Sequence, residues 1–423
     1  MPEEFIVFLW KYRLLEQSLT LTSGESCTIL ETGSRNDHSG PDFLNARIRI
    51  GDTIWAGNVE VHVNASDWYR HDHHKDVNYD NIILHVVYLE DKTVRRKSGE
   101  VIPTLEIHGR YDEGLFNRYL ALIKNRYWIP CQPLIDSVER VIMNHWLDRM
   151  LVERLETRTS EIMNKLEFNK GDWSETFYQL LARNFGFRVN ALPFELLACS
   201  LPLKTLSRHK NDLFQIEALL FGQAGLLGKK YKDPYLTDLQ KEYIFLAGKY
   251  DLQPVDGQLW KFMRLRPSNF PTIRLSQFAA LIFNSSHLFS KILETKTMDQ
   301  FTTLFASEVS SYWFDHYIFD KRSPARSKKM GAHAIHLLLM NTVAPFLFSY
   351  GKFKNKPALA DKALKLLEGI PGETNTEIRK WKEMGFQVRT AFNTQALLEL
   401  KRSYCALRKC LDCAIGLQLV RGS

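Results

Sequence analysis

The chain has 423 residues, 45% hydrophobic and 25% charged, with a formal net charge of +8. This composition can fill large hydrophobic cores, so we expect a globular protein of two or three domains. It has no run of about eighteen apolar residues, and Lys11 and Arg13 interrupt the apolar N-terminus, which excludes the pattern of a secretory signal or a membrane span. We therefore predict a cytoplasmic protein without a membrane partner.

The N-terminal part alternates between helical and extended patterns, as in an α/β domain. The predicted elements, in chain order, are a helix at Glu3–Leu15, a strand at Ser26–Glu31, a hairpin with strands at Phe43–Ile50 and Ile54–Val63, a mixed polar segment at Ser66–Asp80, and a buried strand at Ile82–Tyr88. Gly51-Asp52 marks the turn of the hairpin.

Three potential metal ligands lie at the ends of the hairpin strands. Glu60 and His62 project from the same face of the second strand, because side chains alternate with a period of two. Asp42 follows Gly40-Pro41, where the chain enters the first strand. Two carboxylates and an imidazole at one edge of a sheet predict a site for a divalent cation, Mg²⁺ or Mn²⁺.

This arrangement resembles the PD-(D/E)XK nuclease superfamily, whose core runs helix, three strands, helix, strand. Pro41-Asp42 matches the PD element, and Glu60-Val61-His62 occupies the (D/E)XK element with histidine in place of lysine. The resemblance implies a metal-dependent nuclease that hydrolyses phosphodiester bonds in DNA or RNA. It assigns the metal to Asp42 and Glu60, while His62 orients or deprotonates the attacking water or itself binds the metal.

A second group of potential ligands follows in the segment SDWYRHDHHKDVNYD. If this segment is helical, His71 lies one turn after Asp67 and can face the metal edge, so we predict that His71 takes part in catalysis. Tyr79 is a further catalytic candidate, since some exonuclease branches of the superfamily carry a QxxxY motif in this helix. The glutamine of that motif is replaced here by Lys75.

An alternative function is a Zn²⁺-dependent hydrolase whose site uses His71, His73 or His74. Adjacent residues on a helix point in different directions, which argues against His73 and His74 binding one ion. His85 alternates with apolar residues in its strand, and we predict that it is a core histidine.

The region after residue 130 is predicted to be helical, with apolar residues at three- and four-residue spacing. The clearest helices are Val138–Leu166, Trp173–Phe185, Leu236–Tyr250, Leu275–Phe283 and Pro357–Leu367. Residues 1–131 hold 15 Lys and Arg against 19 Asp and Glu, so the positive excess lies in the later region. Within it, the loop MRLRPSNFPTIRL places Arg264, Arg266 and Arg274 where they could contact the phosphates of a nucleic acid.

The cysteines predict a second metal site. Cys405, Cys410 and Cys413 form a C-x4-C-x2-C cluster near the C-terminus, and Cys131 is the best-placed fourth ligand. Four thiolates suit either a tetrahedral Zn²⁺ or a [4Fe–4S] cluster, and the sequence leaves both open. Some nucleases of the resembling superfamily are thought to carry an iron–sulfur cluster on one distant and three clustered cysteines.

Taken together, the predicted organisation is a nuclease-like α/β domain at 1–130, an all-α domain at 131–400, and a cysteine-containing segment at 401–423 that packs near Cys131. A non-catalytic nucleic-acid-binding or scaffolding protein with a degenerate nuclease fold is a further alternative. The segments GPDF, GNVEVH, SDWYRH, YDNIILHVVY, EALLFGQAGLL, RPSNFP and CLDCAIG resemble a bacterial family described only as a domain of unknown function.

Overall fold

The computed structural model describes residues 1–285 and 287–422. The strands are β1 (Leu19–Thr20), β2 (Ser26–Glu31), β3 (Ser34–Arg35), β4 (Phe43–Ile50), β5 (Thr53–Asn64), β6 (Ile82–Leu89), β7 (Thr104–Glu106), β8 (His316–Ile318) and β9 (Lys321–Arg322). The helices are α1 (Glu3–Lys11), α2 (Asp67–Arg70), α3 (Glu113–Lys124), α4 (Arg140–Phe168), α5 (Trp173–Phe185), α6 (Ala191–Ser200), α7 (Leu203–Ser207), α8 (Leu213–Gln223), α9 (Pro234–Tyr250), α10 (Pro271–Asn284), α11 (Leu288–Glu294), α12 (Met298–Phe305), α13 (Ala332–Leu338), α14 (Ala344–Phe353), α15 (Pro357–Gly369), α16 (Thr376–Glu383), α17 (Ala391–Leu400) and α18 (Ala414–Arg421).

The chain divides into two compact units. The first contains Met1–Trp146 together with Leu400–Ser423, and the second contains Leu147–Glu399. The first unit holds the seven-stranded sheet, and the second is mainly helical. The C-terminal segment therefore belongs to the same compact unit as the sheet. This agrees with the prediction of an α/β region at the N-terminus and a large helical region after it.

The sheet of the first unit has the order β1-β2-β4-β5-β6-β7, with β3 beside β4. The predicted hairpin is confirmed: β4 and β5 pair antiparallel, with Ile50 opposite Thr53 across the turn. The next neighbours run parallel, because β6 pairs with β5 and β7 pairs with β6 in that direction. The central strand β5 thus has an antiparallel partner on one side and a parallel partner on the other.

Helix α1 packs against β5 and β6. Its buried face consists of aromatic and aliphatic side chains, Phe5, Ile6, Phe8, Leu9 and Trp10. The helix ends at Lys11 rather than at the predicted Leu15, and Arg13 adopts a left-handed backbone conformation with φ of 52°. A left-handed residue cannot continue a right-handed helix, so the chain turns there toward β1.

The histidine-rich segment is not one helix, and the helical assumption for it was wrong. Helix α2 ends at Arg70, and Asp72 takes a left-handed conformation with φ of 60°. Two short 3₁₀ turns, His73–Lys75 and Val77–Tyr79, complete the segment. Asp76 caps the second turn by accepting a hydrogen bond of 2.9 Å from the Asn78 amide. This break in the helix changes the directions of the side chains that follow it.

The second unit contains the helices predicted from periodicity, with small differences at their ends. The largest difference is in α10, which begins at Pro271, four residues before the predicted Leu275. Proline is favourable in the first turn of a helix, because the amide that it lacks has no partner there. The predicted start was too late because the proline-containing segment before Leu275 was interpreted as a loop.

One helical stretch, Ala332–Phe353, is long and apolar enough by composition to cross a membrane. It consists of α13, a single π turn and α14. In its most apolar window, 67% of the residues are buried inside the protein. Such burial is typical of a core helix in a globular unit.

A buried carboxyl group lies in the second unit. Glu217 of α8 has no exposed surface, and it accepts hydrogen bonds from the Tyr235 hydroxyl, from the Ser310 hydroxyl at 3.0 Å and from the Trp313 indole at 3.2 Å. Burial raises the pKa of Glu217 from 4.5 to about 7, although these hydrogen bonds favour the ionised form.

We expect the Glu217→Gln variant to gain stability relative to the wild type as the pH rises. Because the folded-state pKa of Glu217 is above its ordinary value, the stability it contributes is present below pH 4.5 and is lost as the pH rises through about 7. That shift corresponds to at most about 3 kcal/mol. Urea unfolding at pH 5 and pH 8 measures the effect, with the exposed Glu368→Gln as the control. An equal difference between variant and wild type at both pH values would contradict it.

Candidate metal centre

Strand β5 carries two of the predicted site residues into the interior of the first unit. Glu60 and His62 are 5% and 1% exposed. In the parallel register with β6, Glu60 lies opposite His85 and His62 opposite Val87. The predicted common direction of Glu60 and His62 is confirmed, since Glu60 Oε1 lies 3.6 Å from His62 Nε2.

Asp42 and Glu60 hold each other in place through the backbone. Glu60 Oε2 accepts a hydrogen bond of 3.0 Å from the Asp42 amide, and Asp42 Oδ2 accepts one of 3.1 Å from the Val61 amide. The other oxygen of Asp42 forms an ion pair with Arg35 of β3. This reciprocal arrangement leaves Glu60 Oε1 directed at the histidines.

Three imidazoles meet at this carboxylate. One nitrogen from each of His62, His71 and His73 lies within 4.8 Å of those of the other two. His62 Nε2 is 3.2 Å from His71 Nδ1, and Glu60 Oε1 is 3.2 Å from His73 Nε2. His62 is buried, His73 is half-buried and His71 is exposed. The cluster is therefore closed by the sheet on one side and open to solvent at His71.

His62 is held by a fourth histidine behind it. Its Nδ1 lies 2.8 Å from Nε2 of His85, which is fully buried. Burial, followed by the nearby imidazoles of His85, His73 and His71, holds the pKa of His62 far below its ordinary value. His62 is consequently neutral at physiological pH, and a neutral imidazole has the lone pair that a metal needs.

Binding of a metal through His62 Nε2 requires the proton of this ring to be on Nδ1, where it can be donated to His85. We therefore expect His85→Leu to weaken metal binding at the cluster by about 10–100-fold, the usual effect of losing a partner that orients a ligand. Zn²⁺ competition with a chromophoric chelator measures the affinity. His108→Leu, a substitution of an exposed histidine outside the cluster, is the control, and equal affinities in the two variants would contradict this role for His85.

Aromatic side chains fix the position of His73. Its ring stacks on Tyr79, with centroids 3.9 Å apart, and meets Trp68 edge-on at 5.4 Å. Tyr79 and Trp68 belong to a buried cluster with Ile82 and Val87 of β6. Burial raises the pKa of the Tyr79 hydroxyl well above its ordinary value, so the hydroxyl stays protonated.

One nitrogen from each of the three histidines can approach a common ion, and Glu60 lies beside two of them. Zn–N bonds of about 2.0–2.1 Å at tetrahedral angles place neighbouring donors about 3.3 Å apart. The measured separations of 3.2 Å between His62 and His71, 3.2 Å between Glu60 and His73, and 3.6 Å between Glu60 and His62 are close to that value. Three imidazoles with one adjacent carboxylate are also a donor set that zinc sites use.

The carboxylate at the centre of this cluster is itself perturbed. Burial raises the pKa of Glu60 to about 7, and the nearby charge of Asp42 adds to the rise, while a hydrogen bond with His73 opposes it. A cation at the cluster would favour the ionised form of Glu60, as a positive charge does for any neighbouring carboxylate.

Two of the predicted site residues already have partners within the protein. Both carboxylate oxygens of Asp42 are engaged, with Arg35 and with the Val61 amide. Tyr79 packs under His73 and is only 8% exposed. The metal-binding role of Asp42 and the catalytic role of Tyr79 stay predictions. Glu60, His62 and His71 are brought together as predicted.

The three arginines predicted to bind nucleic acid are not equivalent. Arg274 is 7% exposed, and its guanidinium donates hydrogen bonds of 2.6 Å to Asn269 and 2.9 Å to Gln277. It is therefore an interior residue of α10 and is removed from the prediction. Arg264 and Arg266 are exposed, and their proposed contact with phosphate stays a prediction.

The sequence left open whether His71, His73 or His74 belongs to the site. The structure places His71 and His73 in the cluster and His74 outside it, because the left-handed Asp72 redirects the chain between them. Glu3, in the first turn of α1, was not predicted to lie near the site; partial burial raises its pKa, and the charges of Asp42 and Asp67 contribute to the rise.

Comparison with known proteins gives a family and no activity. No curated protein and no solved structure matches the chain. A family model described as "protein of unknown function (DUF2851)" matches residues 3–376, a range that includes the whole histidine cluster and excludes the C-terminal cysteines. The resemblance noted in the sequence to a family of unknown function is thus confirmed, and the chain belongs to the DUF2851 family.

Proposed function

We propose that the protein is a metal-dependent hydrolase that cleaves phosphodiester bonds in DNA or RNA, with its ion held by His62, His71 and His73. The observation that supports this most strongly is that one nitrogen from each of these three imidazoles lies within 4.8 Å of the other two, with Glu60 Oε1 3.2 Å from His73 Nε2. The exposed His71 leaves one side of the cluster accessible to a substrate.

The donor set favours a transition metal over Mg²⁺. Imidazole nitrogens suit Zn²⁺ and its neighbours, whereas Mg²⁺ prefers an octahedral set of oxygens. Of the two carboxylates predicted to bind the ion, Glu60 contacts His62 and His73, whereas Asp42 is paired with Arg35. We therefore propose Zn²⁺ as the ion, with Mn²⁺ as the ion to compare, in place of the Mg²⁺ or Mn²⁺ first expected at the carboxylates.

Glu60 is placed to act as the base. A divalent ion at the cluster would polarise the phosphoryl oxygen and make a nearby water easier to deprotonate. Glu60 would accept a proton from the attacking water as its oxygen bonds to phosphorus. As the bond from phosphorus to the leaving sugar oxygen breaks, Glu60 would return that proton to the leaving oxygen. Asp42 and His85 would keep Glu60 and His62 in place throughout.

The choice of a phosphodiester rests on two supports. In the sequence resemblance, Asp42, Glu60 and His62 match the motif residues of the nuclease superfamily, and in the structure these three residues lie together. The chain as a whole carries a net charge of +8, which favours a polyanionic partner. The resemblance thus supports the substrate class, while the histidines support the choice of ion.

The test uses the full-length protein stripped of metal and then supplied with Zn²⁺, Mn²⁺ or Mg²⁺. Labelled single- and double-stranded DNA and RNA, bis(p-nitrophenyl) phosphate and p-nitrophenyl acetate are the substrates. We expect cleavage of one nucleic acid and of the bis-phosphate with Zn²⁺ or Mn²⁺. Cleavage must be lost in His71→Ala and kept in His74→Ala, because His74 is outside the cluster.

The other outcomes separate the alternatives. Metal binding with cleavage of the acetate ester and of no phosphodiester would replace the nuclease proposal by a Zn²⁺-dependent hydrolase of another substrate. Binding of nucleic acid without cleavage under any metal would favour a non-catalytic protein with a degenerate nuclease fold. Activity that persists in His71→Ala would place the chemistry elsewhere in the chain.

A further inference from the structure

Four of the six cysteines gather in the first unit, far from the histidine cluster along the chain. Cys131 precedes the 3₁₀ turn Gln132–Ser137, Cys405 ends a π turn, Cys410 begins a 3₁₀ turn, and Cys413 is the residue before α18. All four are free thiols, and three of them are less than 9% exposed. The other cysteines, Cys27 in β2 and Cys199 in α6, lie outside this group.

The four thiols are close enough to influence one another. Burial raises the pKa of Cys131 to about 12, and the thiols of Cys413 and Cys410 raise it further. Burial also raises the pKa of Cys405 strongly, with added contributions from Cys131, Cys413 and Cys410. The thiol of Cys131 thus lies near those of the C-terminal triplet, in a poorly hydrated space.

Two basic side chains of the C-terminal segment, Lys401 and Arg408, form hydrogen bonds to the backbone of the loop before Cys131. Lys401 Nζ donates a hydrogen bond of 2.8 Å to the carbonyl of Trp128, which is 273 residues earlier in the chain. The Arg408 guanidinium donates to the carbonyls of Ile123 and Asn125, at 2.5 and 2.7 Å. These bonds bring the cysteine triplet to the loop that carries Cys131, independently of any metal.

Hydrogen-bond donors surround the sulfur of Cys413. Burial raises its pKa to about 11, while the amides of Gly416 and Ile415 and the Trp146 indole oppose that rise by hydrogen bonding to its sulfur. At Gly416 a Cβ atom would lie 2.1 Å from the carbonyl oxygen of Cys410, so no larger residue fits this turn. Amide groups that donate to sulfur also stabilise a metal-bound thiolate.

We propose that Cys131, Cys405, Cys410 and Cys413 bind a metal centre that fastens the C-terminal segment to the α/β unit. Four thiolates are the ligand set of structural Zn²⁺ and of [4Fe–4S] clusters. Either centre would take all four thiolates as ligands, and the metal content of the protein distinguishes the two.

This proposal goes beyond the hydrolase and does not depend on it. A centre of this kind would stabilise the folded state. Its ligands come from distant parts of the chain and are not assembled in the unfolded state, so the free energy of metal binding adds to the free energy of unfolding. The cysteine triplet also lies outside the range 3–376 that the family model matches.

The test is the metal content of the full-length protein purified without oxygen. A background variant, His71→Ala/His73→Ala, removes the histidine site, so that any remaining metal reports on the cysteines. We expect either iron with acid-labile sulfide and absorption near 400 nm, or about one zinc per chain. Cys131→Ser and Cys413→Ser must each lower that content at least tenfold, whereas Cys27→Ser and Cys199→Ser must not.

A second measurement applies if the cysteine variants fail to fold. Hydrogen exchange of the background variant, before and after removal of the metal by a chelator, should show faster exchange in residues 401–421. Background protein without iron or zinc, even after reconstitution with iron, sulfide or zinc, would overturn the proposal. So would metal that stays at full occupancy in both Cys131→Ser and Cys413→Ser.

Discussion

Replacing His73 by alanine is expected to lower the affinity of the histidine cluster for Zn²⁺ by more than about 100-fold. Loss of a residue that only orients a ligand costs about 10–100-fold, and loss of a ligand itself costs more. His73 Nε2 lies 3.2 Å from Glu60 Oε1, and its ring is fixed by Tyr79, so no neighbouring side chain replaces it without rearrangement. Isothermal titration with Zn²⁺ and hydrolysis at saturating metal measure the two consequences.

His74→Ala is the matched control for this variant. His74 is adjacent in sequence and equally a histidine, but its ring contacts Tyr69 at 5.2 Å and it is not a member of the cluster. We expect its affinity for Zn²⁺ to equal that of the wild type. If His74→Ala lost as much affinity as His73→Ala, the metal would be bound by the segment in a geometry different from the one described.

Glu60→Gln is expected to lower the rate of hydrolysis by about 10²–10⁴-fold while leaving the metal bound, because general bases contribute rate factors of that size. Glutamine has the same shape as glutamate and can still accept the hydrogen bond from the Asp42 amide. It cannot accept a proton from water at neutral pH. The variant therefore distinguishes a role of Glu60 as general base from a role as metal ligand.

Glu31→Gln provides the control for Glu60→Gln. Glu31 is an exposed carboxylate on β2 of the same sheet and pairs with Arg47 at 3.0 Å. Its removal should leave kcat and metal content unchanged. A Glu60→Gln variant that lost its metal would show that Glu60 is a required ligand, and one with undiminished kcat would exclude it as the base.

The hairpin and the directions of its polar residues could be predicted from the sequence. Alternation along β5 placed Glu60 and His62 on one face, and the short apolar run of β6 indicated the neighbouring strand. These are local properties, since strand periodicity is set by the backbone alone. His85 was correctly predicted to be a core residue, and it has no exposed surface.

The composition of the site depended on contacts that a local pattern does not contain. Arg35 lies on a strand of two residues, which is too short to show an alternating pattern. Its guanidinium nevertheless forms the ion pair with Asp42. The histidine segment has residues compatible with a helix, and a single left-handed residue, Asp72, redirects His73 toward Glu60. Whether an Asp adopts this conformation depends on tertiary packing, which periodicity cannot report.

The cysteines show the opposite case, in which distant residues could be connected from the sequence. Their number and the close spacing of Cys405, Cys410 and Cys413 indicated a shared site, and Cys131 was the fourth candidate. The hydrogen bond from Lys401 to the Trp128 carbonyl shows how the chain brings them together. Residue type and spacing were the basis for grouping these residues, and metal binding by their thiols stays a prediction.

The central claim, that three histidines of this fold bind one ion, is tested most directly by a crystal structure of the protein grown with Zn²⁺, using anomalous scattering at the zinc edge. We predict one strong peak about 2.0–2.1 Å from His62 Nε2, His71 Nδ1 and His73 Nε2. A structure with Zn²⁺ at other residues, or with the three histidines well ordered and no peak between them, would contradict the claim.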